Sequence, residues 1–160
     1  MRTSRIFSRI IALATALSAF PSCADDVTDR AMNLVERTVW TRPDSALSVI
    51  ESIDTLSLRT NARKARYSLL LTTALDRNRI DTADQSILHP ALRYYRRHGT
   101  DDDRMKTFYY QAVIQMNAGD YQQAVGSLLT AKEYSSDSED FLFRGLISSA
   151  LSDVYAKNYN

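Results

Sequence analysis

Met105-Lys106-Thr107-Phe108-Tyr109-Tyr110-Gln111-Ala112-Val113-Ile114-Gln115-Met116-Asn117-Ala118-Gly119-Asp120-Tyr121 is the stretch from which the rest of the chain is read. Met105, Phe108, Tyr109, Ala112, Val113 and Met116 fall at i, i+3, i+4, i+7, i+8 and i+11, the stripe of a helix buried along one face. Gly119 interrupts it as a left-handed helix stop, and Asp120 with Gln123 three residues on is the pattern of a new N-cap. Tyr121, Ala124, Val125 and Leu128 then resume the same spacing. The predicted unit is a pair of helices joined by a tight turn.

Outward from that pair, the periodicity predicts helices near 27–40, 43–54, 60–77, 84–98, 102–118, 120–135 and 139–157. Pro43, followed by Asp44 and Ser45, marks a first helical turn, where the missing N–H costs nothing. Thr82 with Gln85, and the acidic run Asp101 to Asp103, are capping signals for the fourth and fifth helices. With 4 Gly and 3 Pro and little alternation of β-branched with polar residues, strands have no support, and the fold class is all-α. Paired, the helices form units that begin near 27, 60, 102 and 139. Spacings of about 33, 42 and 37 residues are the mark of stacked hairpins, each burying its open face on the next.

Residues 1–9 hold three arginines and no acid, residues 10–20 are an apolar run, and Pro21-Ser22-Cys23 follows. As a helix the run would rise about 16 Å, too short to cross a bilayer. Residues 1–22 therefore read as a signal peptide and stand outside the fold argument. Cys23 is the only cysteine, so no intramolecular disulfide exists to explain it. The stretch resembles a bacterial lipobox, with Ser22 at the small position and Phe20 departing from the preferred aliphatic. The resemblance implies lipid attachment at Cys23 and a membrane-anchored place in the cell envelope, on its periplasmic face or at the cell surface; the alternative is an incidental thiol near an ordinary cleavage site. Several acyl chains on one cysteine suffice for stable anchoring. Residues 23–26, with Asp25 and Asp26, form a short acidic tether that is similar to the surface-export signal of Bacteroidetes lipoproteins, or else the acidic start of a helix. One domain of helical repeats then occupies 27–160.

Phe108 through Ala131 resembles a tetratricopeptide repeat: Phe108 at the aromatic position, Ala112 at the small one, Gly119-Asp120-Tyr121 at the turn, Ala124 and Ala131 at the helix crossing. Gln111, Gln115 and Ser136 depart from the motif. Pro43 to Leu47, Ala65 to Leu70 and Tyr94-Tyr95 look like the N-terminal repeat region of large Bacteroidetes lipoproteins and membrane-anchored regulators. The resemblance implies an α-α superhelix, a tetratricopeptide-like solenoid of helical hairpins, whose concave groove takes a protein or peptide segment. Carried over position by position, it implies groove residues Lys106, Tyr109, Val113, Met116 and Asn117, and, with Tyr67 at the aromatic position of the preceding unit, Ser68, Thr72 and Asp76. Leu151, Ser152, Val154 and Tyr155 look like a first repeat helix, so the last repeat reads as incomplete, from a truncated or partial chain or from a natural end.

Signs of chemistry are absent from the sequence. His89 and His98 are nine apart, wrong for a helical metal pair, and no second cysteine helps them; neither a metal nor a cofactor is expected. No nucleophile elbow, glycine-rich phosphate loop or dinucleotide fingerprint occurs, and Asp101 to Asp103 lack the ligand alternation of a calcium loop. The chain has 20 basic and 19 acidic residues, and removal of Arg2, Arg5 and Arg9 leaves 17 basic. That balance excludes a nucleic-acid stripe. The one basic cluster, Arg93, Arg96 and Arg97 interleaved with Tyr94 and Tyr95, reads as a solvated face, with a phosphate site as the alternative. Nine tyrosines at helical spacings read as core, or in part as groove lining. The expectation is a non-enzymatic, lipid-anchored scaffold for protein-protein interaction. Its alternatives are the sensory part of a membrane-anchored regulator or sensor kinase, and a glycan-binding surface lipoprotein using Trp40.

Overall fold

The computed structural model describes residues 23–158. They form seven α-helices and, among the described residues, no strand: α1 (Cys23–Thr38), α2 (Pro43–Glu51), α3 (Asn61–Arg77), α4 (His89–His98), α5 (Asp101–Asn117), α6 (Tyr121–Tyr134) and α7 (Phe141–Asn158). Short 3-10 turns, Thr55–Ser57 and Gln85–Leu88, precede α3 and α4. The signal-peptide segment 1–22 lies outside the described residues. α1 begins at Cys23, so residues 23–26, expected as a tether, run as helix.

Local chemistry sets the boundaries. At α5 the N-cap is Thr100: its hydroxyl accepts from the Asp103 N–H at 3.2 Å while the Asp103 carboxylate accepts from the Thr100 N–H at 2.9 Å. This is a capping box, and Asp101 to Asp103 sit at the positive end of the helix dipole. Gly119 ends α5 at φ +81. There the Asp120 N–H donates to the Gln115 carbonyl (2.8 Å) and the Gly119 N–H to the Met116 carbonyl (3.0 Å), the paired bonds of a left-handed helix stop. The expected capping role of the Asp120 side chain is corrected: it makes no cap bond, and the backbone closes the turn.

α3 ends in the same way, except that Arg79, not glycine, holds the left-handed backbone at φ 58. The Ile80 N–H reaches the Leu75 carbonyl and the Arg79 N–H the Asp76 carbonyl, at 3.0 and 2.9 Å. The second and fourth helices are shorter than expected. α2 stops at Glu51, and Asp54 caps the following 3-10 turn through the Leu56 N–H. Ahead of α4, Thr82 accepts from the Asp84 N–H and Asp84 from the Ser86 N–H, so Thr82 caps no helix. Pro90, in the first turn of α4, has no N–H to bond backward, which limits regular helix ahead of it.

Each helix packs on its neighbours in sequence, and the odd helices also meet one another, α1 on α3, α3 on α5 and α5 on α7. Ion pairs reinforce these contacts: Arg63 with Asp29 and Arg66 with Glu36 tie α3 to α1, and Lys106 of α5 meets Asp140 just before α7. Met32, Val35, Val39, Ile50, Leu70 and Ala74 form one apolar cluster around α1 and α2. A larger one spans α3 to α7 and includes Leu88, Met105, Phe108, Tyr110, Leu128 and Ile147. Ala112, Ala124 and Ala131 are fully buried within it, and small side chains there let α5 and α6 approach closely. Trp40, just after α1, packs against both clusters. Its ring meets Phe143 of α7 edge-on, with centroids 5.8 Å apart at 88°, a geometry aromatic pairs favour.

Candidate functional site

The side of the molecule formed by the odd helices carries a cleft of about 220 Å³ between α3, α5 and α7. α5 contributes Tyr109, Val113, Met116 and Asn117, which share one face at i, i+4, i+7 and i+8. α7 contributes Leu146, Ser149, Ala150 and Asp153 at i, i+3, i+4 and i+7, and α3 contributes Asp76. Two parallel stripes of helical period thus make the walls. Val113, Met116, Leu146 and Ala150 give an apolar floor, and Asp76 and Asp153 give it two carboxylates. The Asn117 amide donates to the Thr82 carbonyl at 3.1 Å, which ties that end of α5 to the segment before α4.

Burial governs the electrostatics here. It pushes the Asp76 carboxyl above its ordinary range; Arg77 pulls it back and Asp81 pushes it further up. Burial, helped by Asp76, also raises the Tyr109 phenol to about 12, so its O–H stays protonated at neutral pH. Neither Asp76 nor Asp153 forms an ion pair among the described residues.

Next to the cleft lies a second cavity of about 310 Å³, lined in part by Glu36, Arg66, Leu69, Thr73, Lys106 and Phe143. Its Glu36, Arg66 and Lys106 are each paired within the protein. Arg66 grips both Glu36 carboxylate oxygens, at 2.8 and 2.7 Å, and Lys106 reaches Asp140 at 3.1 Å with its ammonium 5.2 Å from the Phe143 ring centre. Trp40, expected as a possible sugar platform, is half-buried here, with the Arg77 guanidinium over its ring at 4.7 Å and Phe143 at its edge. Nearby, the Tyr110 hydroxyl is buried beside Thr73 without a well-formed hydrogen bond, and the Arg77 Nε and Gln111 Oε1 are buried without partners as well.

Of the groove residues expected from sequence, Asp76, Tyr109, Val113, Met116 and Asn117 come together in the cleft, and Lys106 lines the adjoining cavity. Ser68 and Thr72 do not line this cleft. Both are buried; the Ser68 hydroxyl donates to the Ile87 carbonyl in the 3-10 turn, and the Thr72 hydroxyl to the Ser68 carbonyl. The cause is a one-residue slip in register. Arg79 and Gly119 end α3 and α5 in the same left-handed turn, and 119 less 79 is an offset of 40 residues, whereas Tyr67 set against Phe108 assumes 41. One residue rotates a helix position by about 100°, off the inner face. With the offset of 40, Leu69 and Thr73 match Tyr109 and Val113, and both line the inner cavity.

Leu146, Ser149, Ala150 and Asp153 went unrecognised, although their helical spacing on α7 was available in the sequence. Cys23 opens α1, and its side chain lies outside the described residues. His89 opens α4, and His98 closes it with its ring tilted against Tyr94 at 5.0 Å. Among the described residues no helix is long and apolar enough to cross a membrane, and no three His, Cys, Asp or Glu side chains gather as metal ligands would. No protein-family model, no curated protein and no solved structure matches the chain.

Proposed function

We propose that the chain is a tetratricopeptide-like helical scaffold that holds a segment of a partner protein in the cleft between α3, α5 and α7, without catalysis of its own. The observation that carries the reading is the pair of carboxylates beside an apolar floor, Asp76 half-buried and Asp153 exposed, neither in an ion pair among the described residues. Burial makes the Asp76 charge costly, Arg77 offsets that in part, and a ligand cation relieves the rest. The complementary ligand is a peptide with an apolar side chain for Val113, Met116 and Leu146, flanked by lysine or arginine. Support for a superhelix comes from the matching turns at Arg79 and Gly119 and from odd helices that meet in succession along one side.

We place this scaffold at the cell envelope, held by lipid on Cys23; the support is the sequence of residues 1–23 alone. Replacing Cys23 by Ala should release the protein from the membrane fraction, and retention would count against the anchor.

For the cleft itself, the protein is used to select from a random peptide library. Enriched peptides should share a basic residue beside a large apolar one and should lose binding to an Asp76→Asn/Asp153→Asn variant. Enrichment with no basic residue, or binding indifferent to the double variant, sinks the reading.

A further inference from the structure

A second concave site lies away from the cleft, between the first turn of α3 and the outer side of α4, with a volume of about 370 Å³. α4 presents two adjacent stripes to it, His89, Arg93 and Arg97 on one and Pro90, Tyr94 and His98 on the other, each at i, i+4 and i+8. Lys64 and Asn61 face them from the start of α3. That helix end is itself weakly positive, because its first N–H groups have no partner within the helix.

Two features separate this site from an ordinary solvated face. No acidic side chain lines it, and among the described residues Lys64, Arg93 and Arg97 form no ion pair, whereas Arg63, Arg66, Arg104 and Lys106 each do. Arg96, in the same basic run, turns elsewhere and lies over the Phe108 ring at 5.4 Å. The acid at the edge, Asp84, is already engaged: bonds from Ser86 hold its carboxyl below the usual carboxylate range, with a smaller contribution from His89. Three permanent cations around one cavity repel one another unless an anion lies between them.

We infer that this cavity binds a phosphate monoester, gripped by Arg93, Arg97 and Lys64, with the Tyr94 ring as the wall for whatever carries the phosphate. Guanidinium groups suit the fork geometry of phosphate oxygens, and lysine adds a point charge. The phosphate belongs either to a soluble sugar phosphate or to a lipid head group. This inference does not rest on the peptide cleft, which shares no residue with it.

The test uses the protein with two phosphate probes, glucose 6-phosphate by calorimetric titration and phosphatidic acid in phosphatidylcholine vesicles by co-sedimentation. Glucose and pure phosphatidylcholine vesicles are the controls. At least one probe should bind saturably above its control, and which one does identifies the source of the phosphate. Arg93→Gln/Arg97→Gln should weaken that binding about tenfold or more, whereas Arg96→Gln should change it less than about twofold, since its guanidinium points away. Both cavity arginines are exposed, so the variants are expected to fold, and unchanged circular dichroism checks that they do. The inference is overturned if neither probe exceeds its control, or if Arg96→Gln weakens binding as much as the double variant.

Discussion

The Ser127 hydroxyl donates to the Gln115 side-chain carbonyl across the α5–α6 interface, at 2.7 Å and out of reach of water. Each group satisfies the other where neither has access to solvent. Ser127→Ala leaves the Gln115 carbonyl without its hydroxyl partner and should cost about 1–3 kcal/mol. Ser127→Ala combined with Gln115→Leu removes both polar groups and should cost less than the two single changes added together. Urea denaturation of the four proteins measures the coupling, and strict additivity would show that the bond contributes nothing.

Arg79 carries a left-handed backbone in a turn whose counterpart in α5 uses glycine. Arg79→Gly should therefore be neutral or stabilising by up to about 1 kcal/mol, despite the greater freedom of glycine in the unfolded chain. Gly119→Ala should destabilise by about 1 kcal/mol. No atom lies within 4 Å of an added Cβ at Gly119, so that cost is conformational strain and not a clash. Thermal melts of both variants decide it, and a stabilising Gly119→Ala would refute the account of the turns.

Burial raises Tyr95 and Tyr109 from 10.0 to about 12 and Tyr110 further. A folded-state pKa above the unfolded one means that the native protein holds the proton more tightly. The associated stability is whole below pH 10 and is lost as pH climbs through the folded values. Alkaline unfolding should set in between about pH 10 and 12 and coincide with delayed tyrosinate absorbance. Tyrosines that all titrate near 10 with the fold intact would contradict the burial of these three phenols.

Asp76 follows the same sign at acid pH, because its folded pKa lies above the ordinary 3.8. The stability it lends is present below 3.8, where it is protonated in both states, and is lost as pH rises through the elevated folded value. Asp76→Asn should thus stabilise the protein at neutral pH relative to the parent and lose that advantage below the carboxylate range. Denaturation midpoints at the two pH values test this. A variant less stable at neutral pH would mean that the carboxylate makes a compensating bond.

Helix content was legible because period and punctuation agreed. From Met105 to Met116 the apolar stripe could be only a helix; Asp101 to Asp103 and Gly119 mark its two ends, and Pro43 marks the start of α2, through their own chemistry. What escaped was set by tertiary geometry. An arginine at Arg79 conceals a left-handed stop that a glycine would announce, and without that stop the motif sets Tyr67 against Phe108 one residue out. That slip carried Ser68 and Thr72 off the inner face. The departure Gln115 became intelligible only with Ser127 beside it, since nothing in the spacing of 12 residues distinguishes a buried polar pair from two surface residues.

The Trp40–Phe143 contact has a consequence for how much variation in length the protein tolerates. A stack in which every hairpin touches only its neighbours can gain or lose a unit anywhere, and its ends can fray independently. Here a ring at the exit of α1 rests against a ring on α7, with five helices between them in the chain. Splicing a hairpin between them would carry Phe143 away by about 10 Å, the width of a helix, and leave both rings without their partner. Between α1 and α7 the number of helices is therefore fixed by that contact.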